Sequence, residues 1–439
     1  MLDLRTLREN PEAVRNALTR RHQTDLLSEV DRLLALDTSW RDTTVRRDAL
    51  RNEQNTVSKE IGRLKREKQD ASDVIERMQT VAQEVRDLDD ELRDARAQMD
   101  AILLMLPNIP HEDVPDGSSE EDNVIVKEWG EKPEFDFEPQ AHWDIGESLG
   151  ILDIERGGKI SGRGFAVYRG QGAKLQRALI SFMLDIHTTE HGYTEIWPPA
   201  LVNRQSMIGT GQIPKFEDDM YRLAQEAQDD GDGDGDDEGR DLFLIPTAEV
   251  PVTNLHAEEI LDGADLPIYY AAYTPCFRRE AGAAGRDTRG IQRVHQFDKV
   301  EMVKFTTAET SYDEHETLLA NAEAIVQRLG IPYRVTLMCA GDIDFKGAKQ
   351  YDVEIWAAGQ QRWLEVSSVS NFTDFQARRA NIRYRPEPDA RPEFAHTLNG
   401  SGVALPRLVI SLLENYQQSD GTVRVPEALQ PYVGSDVIA

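Results

Sequence analysis

The stretch PIYYAAYTPCFRREAGAAGRDTRGIQRVHQFDKVEMVKF, residues 267–305, contains two runs of alternating apolar and polar residues on either side of a Gly- and Ala-containing segment. Runs of this kind, rich in Tyr, Phe and Val, are typical of β-strands. We therefore predict an antiparallel hairpin of two strands joined by a long loop. The loop and its borders carry five arginines: Arg278, Arg279, Arg286, Arg289 and Arg293.

This hairpin would place Arg278 and Glu280 at the end of one strand, and Arg293, Phe297 and Glu301 on the other limb. Guanidinium groups bind phosphate oxygens through paired hydrogen bonds, and an aromatic ring can stack on a base. The residue types alone leave two interpretations open. One is a nucleotide site, and the other is a solvated loop whose arginines pair with nearby carboxylates.

The composition is that of a soluble globular protein with room for two or three domains. The chain has 439 residues, of which 39% are hydrophobic. No apolar run approaches the roughly 20 residues that span a bilayer, and no signal peptide is evident at the start, so we expect a cytoplasmic location. The only two cysteines, Cys276 and Cys339, provide no disulfide framework and too few thiols for a structural zinc site.

The charge balance is strongly negative, with 79 Asp and Glu against 50 Lys and Arg and a formal net charge of −29. A basic partner or a high-salt environment would each account for this excess, and we favour high salt because the excess extends over most of the chain. Long-range attraction is screened at high salt, so an acidic chain can still bind nucleic acid there. The excess peaks in an insert at 224–241.

Residues 1–110 are predicted to form a helical N-terminal domain. Asn10 followed by Pro11 is typical of a helix start. Between residues 74 and 102 apolar side chains recur at alternating spacings of four and three, the pattern of a seam between two packed helices. A looser version of the same pattern precedes it, so we predict a long antiparallel helical hairpin, or coiled coil, over about 26–106, called here the helical arm.

The turn of the helical arm is predicted at KQDASD, residues 68–73, with Ser72 or Asp73 as the cap of the second helix. The two helices differ in charge: residues 41–68 hold nine Lys or Arg against five acids, and residues 73–100 hold four against nine. A projecting basic helix suits an extended polyanion such as RNA. The charges alone also leave open a plain oligomerisation coiled coil.

A proline-containing linker at 106–117 leads into residues 111–439, which we predict to be a catalytic domain. Short β-rich runs alternate there with helical ones, without the regular helical crossovers of a parallel sheet. This order is typical of an α+β fold, with a mostly antiparallel sheet flanked by helices.

Three segments resemble the motifs of the class II aminoacyl-tRNA synthetases, in the order of that family. GYTEIWPPALV (192–202) resembles motif 1, FRRE with RGIQRVHQFDKVE (277–301) resembles motif 2, and HTLNGSGVALPRLVISLLENYQ (396–417) resembles motif 3. LIPTAEVP (244–251) and LEVSSVSNFTDFQARR (364–379) are similar to the seryl-tRNA synthetase family in its bacterial-like form. The resemblance covers essentially the whole chain, and the acidic insert is its one clear departure.

The resemblance implies a homodimer formed through the motif 1 region, with L-serine, ATP and Mg²⁺ at the active site. The reaction would attach serine to serine tRNA through a seryl-adenylate, with the tRNA held by the helical arm and selenocysteine tRNA as a further candidate acceptor. No zinc is expected, because the cysteine ligands of the rarer zinc-dependent form are absent and Cys276 suits a small buried position. An amino acid:carrier-protein ligase and a non-catalytic synthetase paralogue are the alternatives.

The resemblance also implies roles for individual residues. Arg278, Arg293 and Arg407 are the expected catalytic residues, with Arg278 between the α-phosphate and the serine carboxylate. Mg²⁺ is expected on Glu365 and Ser368. The serine site is expected to comprise Thr247, Ala248, Glu249, Glu301 and Ser401. The ATP site is expected to comprise Arg278, Arg279, Glu280, Val294, Phe297, Glu365, Val366, Ser367, Ser368 and Arg407.

Overall fold

The structure is a computed structural model that describes residues 1–224, 241–281 and 289–439. The chain divides into two compact units, one of Leu2–Pro107 and one of Asn108–Ala439 together with Met1. The predicted acidic insert at 224–241 lies outside the described residues except for its two end positions, and so does Arg286. Within the described residues no helix has both the length and the apolar character needed to cross a membrane.

The first unit is helical, as predicted. Its helices are α1 (Leu4–Glu9), α2 (Pro11–Arg20), α3 (Leu27–Arg66) and α4 (Ser72–Met105). The start of α2 is confirmed, because the Asn10 side chain accepts a hydrogen bond from the backbone N–H of Ala13 and Pro11 occupies the first turn.

Helices α3 and α4 pack against each other along the predicted seam. The buried residues of α4 include Val81, Val85, Leu88, Leu92, Met99 and Ile102. Ion pairs also join the two helices, since the Asp89 carboxylate lies 3.0 Å from Arg47 and 2.8 Å from Arg51.

The predicted cap of the second helix is wrong. Ala71 occupies the N-cap position of α4 and makes no side-chain capping bond. Asp70 instead accepts hydrogen bonds from the backbone N–H (3.0 Å) and the hydroxyl (2.6 Å) of Ser72. The Asp70 carboxylate, one residue before the N-cap position, therefore accepts the hydrogen bond from the first turn of α4. Residue type alone could not identify it, because several adjacent residues are good cap formers.

The second unit combines helices with an antiparallel sheet. Its helices are α5 (His142–Ser148), α6 (Ile154–Ser161), α7 (Gln171–Thr189), α8 (Arg204–Gly209), α9 (Glu249–Thr253), α10 (Ser311–Arg328), α11 (Phe375–Ala380), α12 (Leu405–Asn415) and α13 (Gln430–Val433). Its strands are β1 (Val124–Trp129), β2 (Leu152–Asp153), β3 (Val167–Tyr168), β4 (Thr194–Glu195), β5 (Leu201–Asn203), β6 (Tyr221–Arg222), β7 (Leu242–Leu244), β8 (Ile260–Asp262), β9 (Ile268–Phe277), β10 (Gln296–Thr306), β11 (Tyr333–Leu337), β12 (Lys349–Ala357), β13 (Arg362–Asn371), β14 (Arg383–Arg385), β15 (Glu393–Phe394), β16 (His396–Ala404), β17 (Val423–Arg424) and β18 (Val437–Ile438).

The main sheet has eight strands in the order β1-β11-β12-β13-β16-β10-β9-β4. All neighbouring pairs are antiparallel except β4 with β9. The predicted α+β fold is therefore confirmed, and so is the hairpin, since β9 and β10 pair with Cys276 opposite Phe297 and Ala272 opposite Glu301. Cys276 is fully buried, as expected for a small core residue.

Alternation in the middle of β10, over residues 299–302, separates the core from a polar surface; farther along, Val303 and Phe305 belong to a smaller hydrophobic cluster. Val300 and Met302 belong to the large core cluster, together with side chains from α7, α10 and α12. Lys299 and Glu301 have the other parity and point away from that cluster. The neighbouring strand β16 follows the same rule, because Leu398 is in the core cluster whereas Asn399 and Ser401 lie opposite β10 on its polar side.

Candidate active site

The polar faces of β10, β13 and β16 form the floor of a cavity of about 620 Å³. The end of β9 and the start of α12 contribute further residues to its wall. Thirteen of the sixteen predicted site residues line this one cavity: Thr247, Glu249, Arg278, Glu280, Arg293, Val294, Phe297, Glu301, Glu365, Val366, Ser368, Ser401 and Arg407.

Three predicted residues lie beside the cavity and do not line it. Ala248 is buried in a smaller hydrophobic cluster. Arg279 donates hydrogen bonds from its backbone to the Asp219 carbonyl and from its side chain to the Asp218 carbonyl, each at 3.0 Å. The Ser367 hydroxyl donates to the Ser401 carbonyl at 2.6 Å.

Arg278 and Phe297 meet at the mouth of the hairpin. The guanidinium carbon of Arg278 lies 5.2 Å from the centre of the Phe297 ring, within the range of a cation–π contact. The backbone N–H of Arg278 donates to the His295 carbonyl at 3.0 Å, which extends the strand pairing by one step beyond β9. This part of the cavity therefore offers a flat aromatic face next to a fixed positive charge.

Arg293 and Arg407 bring two more guanidinium groups to the same cavity. Arg293 lies 3.4 Å from the Glu280 carboxylate. Arg407, in the first turn of α12, donates to the Glu365 carbonyl at 2.6 Å and lies 3.3 Å from its carboxylate. Three arginines in one cavity suit a ligand with several phosphate oxygens.

The side-chain chemistry of Glu365 and Ser368 is compatible with the Mg²⁺ ion predicted on these two residues. Both line the cavity, and they supply the oxygen ligands that Mg²⁺ prefers. No group of three or more His, Cys, Asp or Glu side chains in the described ranges is placed to hold a metal by itself. Mg²⁺ is usually held by one or two carboxylates together with substrate phosphates and water.

The same cavity is also lined by a buried network around Glu301. One Glu301 oxygen accepts from the Thr247 hydroxyl at 3.0 Å and forms an ion pair with Lys299, and the other accepts from the Asn399 amide at 2.8 Å. Lys299 also donates to the Thr247 hydroxyl at 2.8 Å. Ser401 lies directly across from Glu301 in the β10–β16 pairing, so a hydroxyl faces this carboxylate network.

A second buried ion pair joins Lys346 to Glu249. The Lys346 ammonium donates to the two Glu249 oxygens at 2.9 and 3.0 Å, and the Gln376 amide donates to one of them. Burial disfavours the charged form of Lys346, but the carboxylates of Glu249 and Asp344 outweigh it and raise the pKa of this lysine. Both carboxylates of the predicted serine site are therefore paired with a buried lysine.

Sequence reasoning missed Lys299, Lys346 and Asn399. Lys299 could have been found, because it lies two residues from both Phe297 and Glu301 and hence on the same face of the strand. Asn399 follows in the same way from Ser401 on β16. Lys346 lies outside the regular strands, in DFKGAK, where no periodic signal identifies its direction.

Removing the Lys346 charge should destabilise the second unit. Breaking a buried ion pair by deleting one partner typically costs about 3–5 kcal/mol, because the remaining charge has lost its partner. We expect Lys346→Met to unfold at a clearly lower urea concentration than the wild type. The double variant Lys346→Met/Glu249→Gln should recover most of the loss, and equal midpoints for the single variant and the wild type would contradict the assigned pairing.

Comparison with known proteins gives two family matches. Residues 1–110 match the model of the seryl-tRNA synthetase N-terminal domain, and residues 226–416 match that of the tRNA synthetase class II core domain (G, H, P, S and T). The chain is 53% identical over 438 residues to the serine–tRNA ligase of Carboxydothermus hydrogenoformans, covering 100% of this chain and 99% of that one. It is 54% identical over 439 residues to the serine–tRNA ligase of Geobacillus kaustophilus, with both chains covered completely.

A solved structure gives the same result. The seryl-tRNA synthetase of Pyrococcus horikoshii, crystallised with ATP, superimposes with a TM-score of 0.90 at 39% identity, covering 100% of this chain and 99% of that one. The match therefore includes the helical arm as well as the class II core. The identity levels and the full coverage show that the chain belongs to the seryl-tRNA synthetase family of class II aminoacyl-tRNA ligases.

Proposed function

We propose that the cavity activates L-serine with ATP and that the enzyme then transfers the seryl group to serine tRNA. The observation that carries the proposal is that one cavity is lined both by three arginines and by a buried network of carboxylate and hydroxyl groups. The first suits a triphosphate, and the second suits a small amino acid with an ammonium and a hydroxyl group. The carrier-protein ligase and the non-catalytic paralogue are not favoured, because the family match extends through the N-terminal domain.

In this mechanism the protein acts by positioning and by neutralising charge. The serine carboxylate attacks the α-phosphorus of ATP, the bond to the β-phosphate oxygen breaks, and pyrophosphate leaves. We assign Arg278 to both the carboxylate and the α-phosphate, and the neighbouring Phe297 ring to stacking on adenine. Arg293 and Arg407 are assigned to the remaining phosphates. Mg²⁺ on Glu365 and Ser368 would neutralise phosphate charge when bound.

Selection of serine over alanine depends on a single hydroxyl group. A site whose buried polar groups pair with that hydroxyl rejects the analogue lacking it, because those groups would then be left without a partner. Thr247, Glu301 and Ser401 provide such groups, and the Glu301 carboxylate is almost completely buried. We assign Glu301 to the substrate ammonium, and Ser401 to the hydroxyl side.

Binding of the tRNA is assigned to the helical arm. The basic residues near its turn include Lys65, Arg66 and Lys68, all exposed. They lie at the far end of a helix pair whose longer member spans 40 residues, about 60 Å at 1.5 Å per residue. A positive surface of this kind can contact an extended phosphate backbone.

A homodimer formed through residues 192–202 is also proposed. Trp197 is 79% exposed and Leu201 is 41% exposed, although both are large apolar residues. Exposed apolar side chains clustered in one short segment are typical of a protein interface. Domain limits at 1–110 and 111–439, and a cytoplasmic location, stay predictions.

The direct test of the proposed function is the charging of a serine tRNA transcript. We expect ATP-dependent formation of seryl-tRNA, with alanine and threonine charged at much lower efficiency. Adenylate formation without transfer to tRNA, combined with transfer to a carrier protein, would contradict the proposal in favour of the ligase alternative.

The acidic composition gives a prediction about salt. The many negatively charged side chains repel one another. Added salt screens this repulsion, because the Debye length falls from about 10 Å at 0.1 M salt to about 3 Å at 1 M. We expect the melting temperature and the rate of serine-dependent ATP–pyrophosphate exchange to rise between 0.1 and 2 M potassium chloride. A melting temperature that is unchanged or falls over this range would contradict a high-salt origin.

A further inference from the structure

The C-terminal end of the loop between β9 and β10 rests on helix α5. The backbone N–H of Ile291 donates a hydrogen bond to His142 Nε2 at 3.2 Å. Both residues are fully buried. Arg293 and Val294, which line the proposed ATP site, follow Ile291 by two and three residues.

The tautomer and the direction of the His142 ring are fixed by Glu414. Its Oε1 atom lies 2.9 Å from His142 Nδ1 and accepts from the His142 backbone N–H at 3.0 Å. The other oxygen accepts from the backbone N–H groups of Gly359 and Gln360 at 2.9 and 3.0 Å. Because Nδ1 faces a carboxylate and Nε2 faces the backbone N–H of Ile291, we assign the ring proton to Nδ1, which leaves Nε2 as the acceptor.

The loop approaches the ring more closely than a side chain at residue 290 would permit. Gly290 has a φ of +77°, and a Cβ atom built there would lie 2.0 Å from His142 Nε2. Arg289 adds a second contact with the same helix, with its guanidinium 4.6 Å from the centre of the Trp143 ring and 3.3 Å from the Asp144 carboxylate. Three consecutive loop residues thus contact α5.

We propose that His142 is a positioning residue for ATP, acting through the backbone of Ile291 on Arg293 and Val294. Glu414 and Arg407 lie on the same helix, α12, two turns apart. This helix therefore contributes Arg407 to the cavity lining. Through Glu414 and His142 it also orients the segment that carries Arg293. The proposal rests on the proposed use of ATP by this cavity, and it gives two phosphate-binding arginines one common support.

Two substitutions at His142 separate positioning from packing. In His142→Asn, the amide nitrogen can still donate to Glu414, but no acceptor reaches Ile291. In His142→Gln, the longer side chain can present its oxygen to Ile291. Both leave a smaller side chain in the buried site, so a loss of packing alone affects both. Leaving one buried N–H unpaired corresponds to about a tenfold change in an equilibrium constant.

The test is serine-dependent ATP–pyrophosphate exchange with the full-length protein. We expect His142→Asn to raise the KM for ATP about tenfold with the KM for serine unchanged, and His142→Gln to stay within about threefold of the wild type. Equal KM values for ATP in His142→Asn and the wild type would overturn the proposal, as would equal losses in both variants. Exchange activity of the wild type, measured in the same assay, tests the proposed function separately.

If the His142 variants do not fold, Gly290→Ala provides the second measurement. It leaves His142 and Glu414 in place and forces the loop away from the ring, so the same selective rise in the KM for ATP is expected. An unchanged KM for ATP in a folded Gly290→Ala variant would overturn the proposal.

Discussion

Arg278→Ala is expected to lower serine-dependent ATP–pyrophosphate exchange by about 1000-fold while leaving the fold intact. Removing one group that stabilises the charge developing in a transition state typically costs a factor of about 100 to 1000. Arg278 is assigned to both the substrate carboxylate and the α-phosphate, so the upper end of this range applies. The guanidinium lies in the cavity against Phe297 and holds no core side chain in place, so the melting temperature should change little.

A matched control for this variant is Arg328→Ala. Arg328 forms a surface ion pair with Glu190 and lies in α10, and it does not line the cavity. Exposed pairs of this kind contribute about 1 kcal/mol or less. We expect wild-type exchange in the control. Wild-type exchange in Arg278→Ala as well would remove the assigned role of Arg278.

Shortening the helical arm is expected to abolish most tRNA charging and to leave adenylate formation unchanged. The Thr43 hydroxyl donates to the Glu91 carboxylate at 3.1 Å, so these positions face each other across the helix pair. Residues 44–90 can therefore be replaced by a short Gly/Ser turn without stretching the chain. We expect charging efficiency to fall at least about 100-fold, because the phosphate contacts assigned to the far end are lost.

Charge substitutions in the full-length arm distinguish the effect of the arm's charge on tRNA charging from the effect of its length. Lys65→Gln/Arg66→Gln removes two exposed positive charges near the turn, and Asp90→Asn/Asp94→Asn removes two exposed negative charges from α4. We expect a higher KM for tRNA, and a weaker dependence on salt, only in the first pair. Unchanged charging in the shortened protein would mean that the arm has a structural role only.

The parts of the fold with strong local patterns were predictable from the sequence. The spacing of Val81, Val85, Leu88 and Leu92 gave the seam of α4, and alternation in residues 268–305 gave the β9–β10 hairpin. Both patterns depend on short-range periodicity that the backbone imposes. The prediction of the α4 cap was wrong because Asp70, Ser72 and Asp73 are all good capping residues. Which of them accepts the hydrogen bond depends on the final backbone geometry.

The site residues that belong to the recognised motifs could be predicted from the sequence. Contacts between segments far apart in the sequence could not. Arg278, Arg293 and Glu301 do line one cavity, as the family resemblance implied. Lys346 contacts Glu249 across 97 positions of sequence, and His142 contacts Glu414 across 272. Such contacts depend on tertiary packing, and no local sequence pattern predicts them. The burial of a charged residue indicates that it has a partner, but burial is known only once the fold is known.

Lys299 and Lys346, which pair with Glu301 and Glu249, change the interpretation of the proposed serine site. An unpaired carboxylate at Glu249 or Glu301 would be expected to attract any available cation, including potassium at high salt. With Lys299 and Lys346 in place, each carboxylate is already neutralised and oriented. A substrate must then be recognised by the geometry of several hydrogen bonds and not by net charge alone, which favours selection of serine by its hydroxyl group.

Amino acid-dependent ATP–pyrophosphate exchange tests most directly whether one cavity of this protein activates serine with ATP. The measurement compares serine, alanine, threonine and no amino acid, with the wild-type protein and Mg²⁺ in potassium chloride. We predict rapid exchange with serine, at least about 100-fold slower exchange with alanine, and none without an amino acid. Exchange that is absent with serine, or equally fast with alanine, would contradict the account.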